Sequence, residues 1–253
     1  MRLETIGTWL ENAGILALWL VVLLRAPQGV RSRDHRPLWF AILMIALAMS
    51  THLEPVTALL SHLVPGPHWI DLTTHLFSIV DAAAVLWFVL QATGRQRHTA
   101  PVFGAALAVM VTLVLLDVTA PAHARNQISP SPDTPGVPDA YWWVFFAFHL
   151  IADTTCGFVC WKYARNATAR SRRHGLRLFG TGILLASLLW VLKLLYLQTR
   201  SAAFAPLFSP VTGAEALFMA AGAALPALPL LRARRQREGR RTGPPDVRPA
   251  DNW

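Results

Sequence analysis

An all-α polytopic membrane protein, with seven transmembrane helices, an outside N-terminus and a cytoplasmic C-terminus, is the fold that three observations predict. Only 15% of the 253 residues are charged while 54% are apolar; an average soluble domain is about a quarter charged. Seven apolar stretches recur, each near the roughly 20 residues that a helix needs to cross about 30 Å of hydrocarbon. Between them, Lys and Arg fall almost wholly in alternate segments, and so on one side. Each span is a helix because lipid cannot satisfy free backbone N–H and C=O groups.

The stretches are residues 6–24, 38–60, 68–91, 100–120, 141–163, 176–197 and 210–231. The first lacks a basic start and a small-residue cleavage site, so it reads as a retained helix rather than a signal peptide. His52, Glu54 and Pro55 interrupt the second after a strongly apolar first half. One transmembrane domain therefore covers residues 1–231. The tail at 232–253, rich in Arg, Gly and Pro, reads as disordered. The outer loop at 121–140, rich in Pro, Ser and Asp, reads as irregular.

Charge orients the bundle. Of 23 Lys and Arg, only Arg2, Arg125 and Arg200 fall in outer segments and Lys193 inside a span. The remainder, from Arg25 and Arg31 to the tail, fall on the other side, which the positive-inside rule makes cytoplasmic. The net charge of +9 thus reports topology, and no nucleic-acid partner is expected. Trp9, Trp69, Tyr141, Trp142, Trp143 and Tyr196 near outer ends, and Trp39, Trp161 and Tyr163 near inner ends, suit the interfacial belts where such rings concentrate. The localisation is the cell membrane, multi-pass, with the bilayer as the first partner.

Ionisable residues inside a span cost about 2.5–3.5 kcal/mol each on insertion scales and so point to function or to internal pairing. The third span holds Asp71, His75 and Asp81, the fifth His149 and Asp153, the sixth Lys193 and the seventh Glu215. At about 1.5 Å of rise per residue, His75, His149, Lys193 and Glu215 share the outer half, while Asp81 and Asp153 both approach the midplane. Trp190 and Tyr196 flank Lys193, whose natural partners are Glu215 and Asp71. Such a set handles protons or binds a small apolar or cationic ligand; alternatively it is a polar cluster that holds helices together by hydrogen bonds. His149, Asp153, Cys156 and Cys160 share one helix stripe, but it rises over about 16 Å, too far for a single ion. An axial haem pair of His75 and His149 is the other cofactor option; neither a metal nor a cofactor is expected. Gly180-Thr-Gly182 and Ala220-Ala-Gly-Ala-Ala read as close helix packing. No phosphate loop, serine elbow or zinc-protease helix is present, which argues against nucleotide-driven machines and the common hydrolases.

Four stretches carry a family likeness: Ala17-Leu-Trp-Leu-Val-Val-Leu-Leu-Arg25, the span opening at His68, Trp161-Lys-Tyr-Ala-Arg165, and Arg172-Arg-His-Gly-Leu-Arg-Leu178 running on to Lys193-Leu-Leu-Tyr196. Through them the chain resembles actinobacterial seven-helix integral membrane proteins of unknown function, often described as transporters and encoded beside helix-turn-helix regulators. The resemblance implies the same fold over nearly the whole chain, and supplies no catalytic residues. Many such relatives continue into a cytoplasmic domain where this chain has its short basic tail; a regulatory protein partner would remain unspecified.

Three functions compete. The first is a transporter or sensor responding to protons or a small ligand. The second is a membrane-embedded enzyme on an apolar substrate, like the small terpene cyclases. There Asp81 or Asp153 would be the general acid, with Trp190, Phe146 and Phe148 facing a carbocation; the Asn-x-x-Trp-Glu-like signature of the fungal enzymes is missing. The third is a structural or assembly partner. The orientation is tested first: a fluorescent protein fused to the C-terminus is expected to light the cytoplasm, and fluorescence confined to the outer side would reverse the assignment.

Overall fold

A computed structural model describes residues 3–51, 53–63, 67–119 and 139–227. Residues 1–2, 52, 64–66, 120–138 and 228–253 lie outside these, and with them the readings made of the tail at 232–253 and of all but the last two residues of the segment at 121–140, which are helical. Eight helices are described: α1 (Leu3–Arg31), α2 (Arg36–Ser50), α3 (Glu54–Leu63), α4 (Pro67–Ala92), α5 (Thr99–Thr119), α6 (Asp139–Asn166), α7 (Arg170–Thr199) and α8 (Phe208–Ala224). Short 3-10 turns lie at Gln96–His98, Ala205–Leu207 and Leu225–Ala227. Six segments are long and apolar enough to cross a membrane. Their outward faces carry Leu16, Leu20, Leu23, Leu107, Val111, Leu115, Ile151 and Phe158, all at least half exposed. An apolar exterior of this extent belongs in lipid. The protein is a multi-pass integral membrane protein.

The second apolar stretch is not one helix. It divides at Thr51–Leu53 into α2, of 15 residues, and α3, of 10. Pro55 sits in the first turn of α3, where a missing N–H costs nothing. The backbone groups freed at the break are bonded locally. Thr51 Oγ1 donates to the Ala48 carbonyl at 2.6 Å, and Thr57 Oγ1 donates to the Thr51 carbonyl at 2.9 Å.

Boundaries moved elsewhere too. α1 runs on through Pro27 to Arg31, so Arg25 is helical and buried rather than a loop cation. Its Nε donates at 2.8 Å to the carbonyl of Ala223, one of the last carbonyls of α8, which lack partners within their own helix. At the other end, Trp9, Trp69 and Trp143 are exposed as an interfacial belt requires, but Tyr141, Trp142 and Tyr196 are buried. Those three pack inward because α6 and α7 turn them toward neighbouring helices.

Six helices close a ring in the order α1, α8, α7, α6, α4, α2 and back to α1, while α5 packs outside against α4 and α6. Glycines set the separations on one side of the ring. At Gly213 a Cβ would lie 2.6 Å from the backbone of Leu10 and Glu11, and at Gly182 2.6 Å from Met219; a Cβ on Gly180 would meet that of Cys160, and one on Gly222 would meet the backbone of Phe179. The expected packing role of the Gly180–Gly182 and Gly222 segments is therefore observed. The half of the ring where α1, α4, α6 and α8 finish is filled by Leu18, Ile42, Ile45, Ala84, Phe179 and Ile183 with their neighbours. A second cluster, around Tyr141, Phe145, Ile79 and Leu113, joins α4, α5 and α6 in the other half.

Because backbone rather than a flexible side chain faces Gly213, Gly213→Ala is expected to destabilise the bundle by about 1–3 kcal/mol, the usual cost of overpacking. A lowered midpoint of thermal unfolding in detergent checks it; an unchanged midpoint would show that α1 and α8 separate freely.

Candidate functional site

Above the filled half, the ring surrounds a cavity of about 500 Å³ to which all six ring helices and α3 contribute. It lies at the end where α1, α4, α6 and α8 begin and α2 and α7 finish. On α4, Asp71, Thr74, His75, Ser78 and Asp81 line it. Their i, i+3, i+4, i+7, i+10 spacing keeps them on one helix face, and Asp81 lies about 15 Å deeper than Asp71 by helical rise. α7 contributes Leu189, Trp190 and Lys193, and α8 contributes Ser209, Thr212 and Glu215. The α2–α3 break contributes Thr51 and Thr57, so the interruption of the second stretch forms cavity wall, the setting in which irregular backbone is tolerated at membrane depth.

The sequence-predicted residues thus fall into three groups. Asp71, His75, Asp81, Trp190, Lys193 and Glu215 line the cavity. His149 and Asp153 are buried in the wall behind Trp190. Tyr196 lies farther off, its ring edge-on to Phe208 with centroids 5.6 Å apart. Of the two aromatics expected beside Trp190, Phe146 lines the cavity; Phe148 does not. Glu11 on α1 was missed: it lines the cavity, is hydrogen-bonded with Ser209 and acts electrostatically on Lys193. Its position near the end of the first apolar stretch made it resemble an interfacial residue, and nothing periodic in the sequence distinguishes it. Asp117, buried on α5 and close enough to Tyr141 to act on it electrostatically, was missed in the same way.

A polar chain ties α4, α6 and α7 together. Ser78 Oγ and His149 Nε2 are 3.1 Å apart, and His149 Nδ1 is 3.8 Å from Asp153 Oδ2. That same oxygen accepts a 2.9 Å hydrogen bond from Trp190 Nε1. The Trp190 indole stacks on His149 at 4.4 Å between centroids, and Lys193 Nζ lies 4.7 Å from the Trp190 ring centroid. Higher up, His75 Nδ1 and the Tyr141 hydroxyl are 2.8 Å apart, and Phe145 packs between His75, at 4.6 Å, and Trp190, at 5.3 Å.

Asp81 and Asp153 are near enough to interact electrostatically, in keeping with the similar depths inferred for them. Their surroundings differ: Asp153 is held by Trp190, whereas Asp81 Oδ1 is buried without a hydrogen-bond partner among the described residues. Lys193 is influenced by Glu215 and Glu11, so Glu11 stands where Asp71 was an expected partner. Cys156 and Cys160 are buried free thiols. Among the described residues no three His, Cys, Asp or Glu side chains converge as a metal site would require.

No family model, curated protein or solved structure matches the chain. The cavity's own chemistry therefore carries the functional assignment.

Trp190→Phe keeps a ring in the wall but strands Asp153 Oδ2. The expected loss is about 1–3 kcal/mol, the cost of an unsatisfied buried group, read as a lower unfolding midpoint. Adding Asp153→Leu should recover part of it, because removing both partners leaves less to satisfy. Equal midpoints for wild type and Trp190→Phe would show that the bond contributes nothing.

Proposed function

We propose that this protein binds a small solute in the cavity between its ring helices and acts as a transporter or as a sensor of that solute. The observation that carries the reading is the cavity's construction: side chains from all six ring helices meet around it. A ligand held there contacts every helix of the ring, and differential contact with two helix arrangements is what lets binding shift a conformational equilibrium. The side chains around it are also those a membrane protein retains for a purpose. Glu11, Asp71, Asp81, Lys193 and Glu215 are each expensive in hydrocarbon and typical of ion, proton or substrate paths.

In this reading α2 and α3 together make one crossing. Their lengths correspond to about 22 Å and 15 Å of helix, enough for a span with a break in its outer part. The chain then crosses seven times, the N-terminus and the cavity mouth lie outside, and the basic loops lie in the cytoplasm. The filled inner half closes the cavity floor, so the arrangement is the outward-facing one. A discontinuous helix beside the binding site is a recurrent feature of transporters.

Thr212, on the cavity face of α8, provides the test. Thr212→Cys in intact cells is expected to react with a membrane-impermeant thiol reagent added outside, while the parent protein, whose two thiols are buried, stays unlabelled. Reaction only after permeabilisation would turn the mouth inward, and no reaction in either condition would show that solutes do not reach the cavity.

A further inference from the structure

We infer that the solute is an organic ammonium ion whose charged head is anchored by Asp81 and whose apolar body lies against the wall formed by His75, Phe145 and Trp190. The inference rests on the cavity reading above and adds the chemical class of the ligand.

Three observations support it. First, the cavity has four carboxyl-bearing residues, Glu11, Asp71, Asp81 and Glu215, and a single ammonium, Lys193. That surplus disfavours an anion and leaves room for one more cation. Second, Glu11, His75 and Lys193 are engaged within the protein. Glu11 is bonded with Ser209, His75 with Tyr141, and Lys193 rests over Trp190 while acting on Glu215 and Glu11. Asp81 Oδ1, by contrast, is buried with no hydrogen-bond donor among the described residues. A buried acceptor without a donor is uncommon and calls for an explanation. Asp81 lines the cavity, and an ammonium head at its carboxylate, toward which rotation of the side chain brings Oδ1, supplies both the missing donor and an opposite charge; charge-assisted bonds of this kind are the strong ones.

The third observation separates an organic cation from a metal ion. Hard cations select cages of oxygen ligands, but here the cavity wall at His75, about 9 Å along α4 from Asp81 by helical rise, is aromatic. Phe145 bridges His75 and Trp190, with centroids 4.6 and 5.3 Å away. Ring faces attract ammonium groups, and this wall already holds one: Lys193 Nζ sits 4.7 Å from the Trp190 centroid. The volume of about 500 Å³ lies within the usual range for small-molecule sites. Lys193 makes the wall selective as well, since a second cation must take the Asp81 side and leave its apolar body toward Phe145.

Three probes that share a phenethyl body and differ in charge give the test, with the protein in lipid nanodiscs: phenethylammonium, the neutral phenethyl alcohol and the anionic 3-phenylpropanoate. Binding is read by thermal shift and by quenching of tryptophan fluorescence, with sodium chloride alone as a further arm. Phenethylammonium is expected to bind at least about 10-fold more tightly than the other two. Asp81→Asn should remove that preference, and Asp81→Glu should retain it. Equal binding of all three probes, or a response to sodium alone that matches the ammonium response, overturns the inference. So does a charge preference that survives in a folded Asp81→Asn. The wild-type charge series stands even if the Asn variant does not fold. Labelling of Thr212→Cys separates the two levels: a labelled cavity that shows no ammonium preference overturns the ligand class and leaves the cavity reading intact, whereas an unlabelled cavity overturns both.

Discussion

Close approach of helix backbones along the α1–α8–α7–α6 side of the ring is the constraint on which the remaining architecture depends. Hydrocarbon gives apolar side chains little reason to leave lipid for one another, so association rests on van der Waals fit and interhelical bonds. Gly213 against α1, Gly182 and Gly222 across α7 and α8, and Gly180 against α6 let these helices touch along their lengths. At one end of the ring the side chains facing inward are large and polar, and the helices do not fill the space between them. The other half closes around Ile42, Ile45 and Ile183, and the end at which α1, α4, α6 and α8 begin retains a cavity.

That division gives each polar residue its role. In the cavity half, carboxyls and Lys193 have cavity rather than lipid beside them, which lowers the penalty of placing them at membrane depth. The aromatic residues of α6 support this indirectly. Tyr141, Trp142 and Phe145 are almost wholly buried, and Tyr141 and Phe145 hold His75 in place through a hydrogen bond and a ring contact. His149 and Asp153, one layer behind, position Trp190 by stacking and by a hydrogen bond. The wall is therefore braced from outside the cavity, as a site that must keep its shape requires.

The break between α2 and α3 has the same logic. A continuous helix there would place its backbone out of reach, whereas the interruption turns Thr51 and Thr57 toward the cavity and satisfies the freed carbonyls with their hydroxyls. Pro55 and the polar residues around it made the interruption visible beforehand, though not its outcome as two helices. Arg25 is the opposite case. By composition it belonged with the loop cations, and only the neighbouring α8 terminus, which offers a carbonyl acceptor, made a buried position available to it.

From the residues alone came the membrane class, the existence and approximate limits of the long helices, the charge asymmetry, and six of the nine singled-out residues that line the cavity. Hydropathy and helical rise are local properties: they state how deep a residue lies along its own helix. Which helices stand side by side depends on small residues meeting across the chain, as Gly213 meets Leu10 and Glu11. That pairing brought Glu11 to the cavity, while packing of α6 against α4 and α5 buried Tyr141 and Trp142 instead of leaving them at the interface, and the meeting of α6 with α7 placed Trp190 between Asp153 and the open space. Depth was legible in the sequence because it follows from length; azimuth and neighbour were decided by the tertiary structure, because they follow from packing between segments distant in the chain.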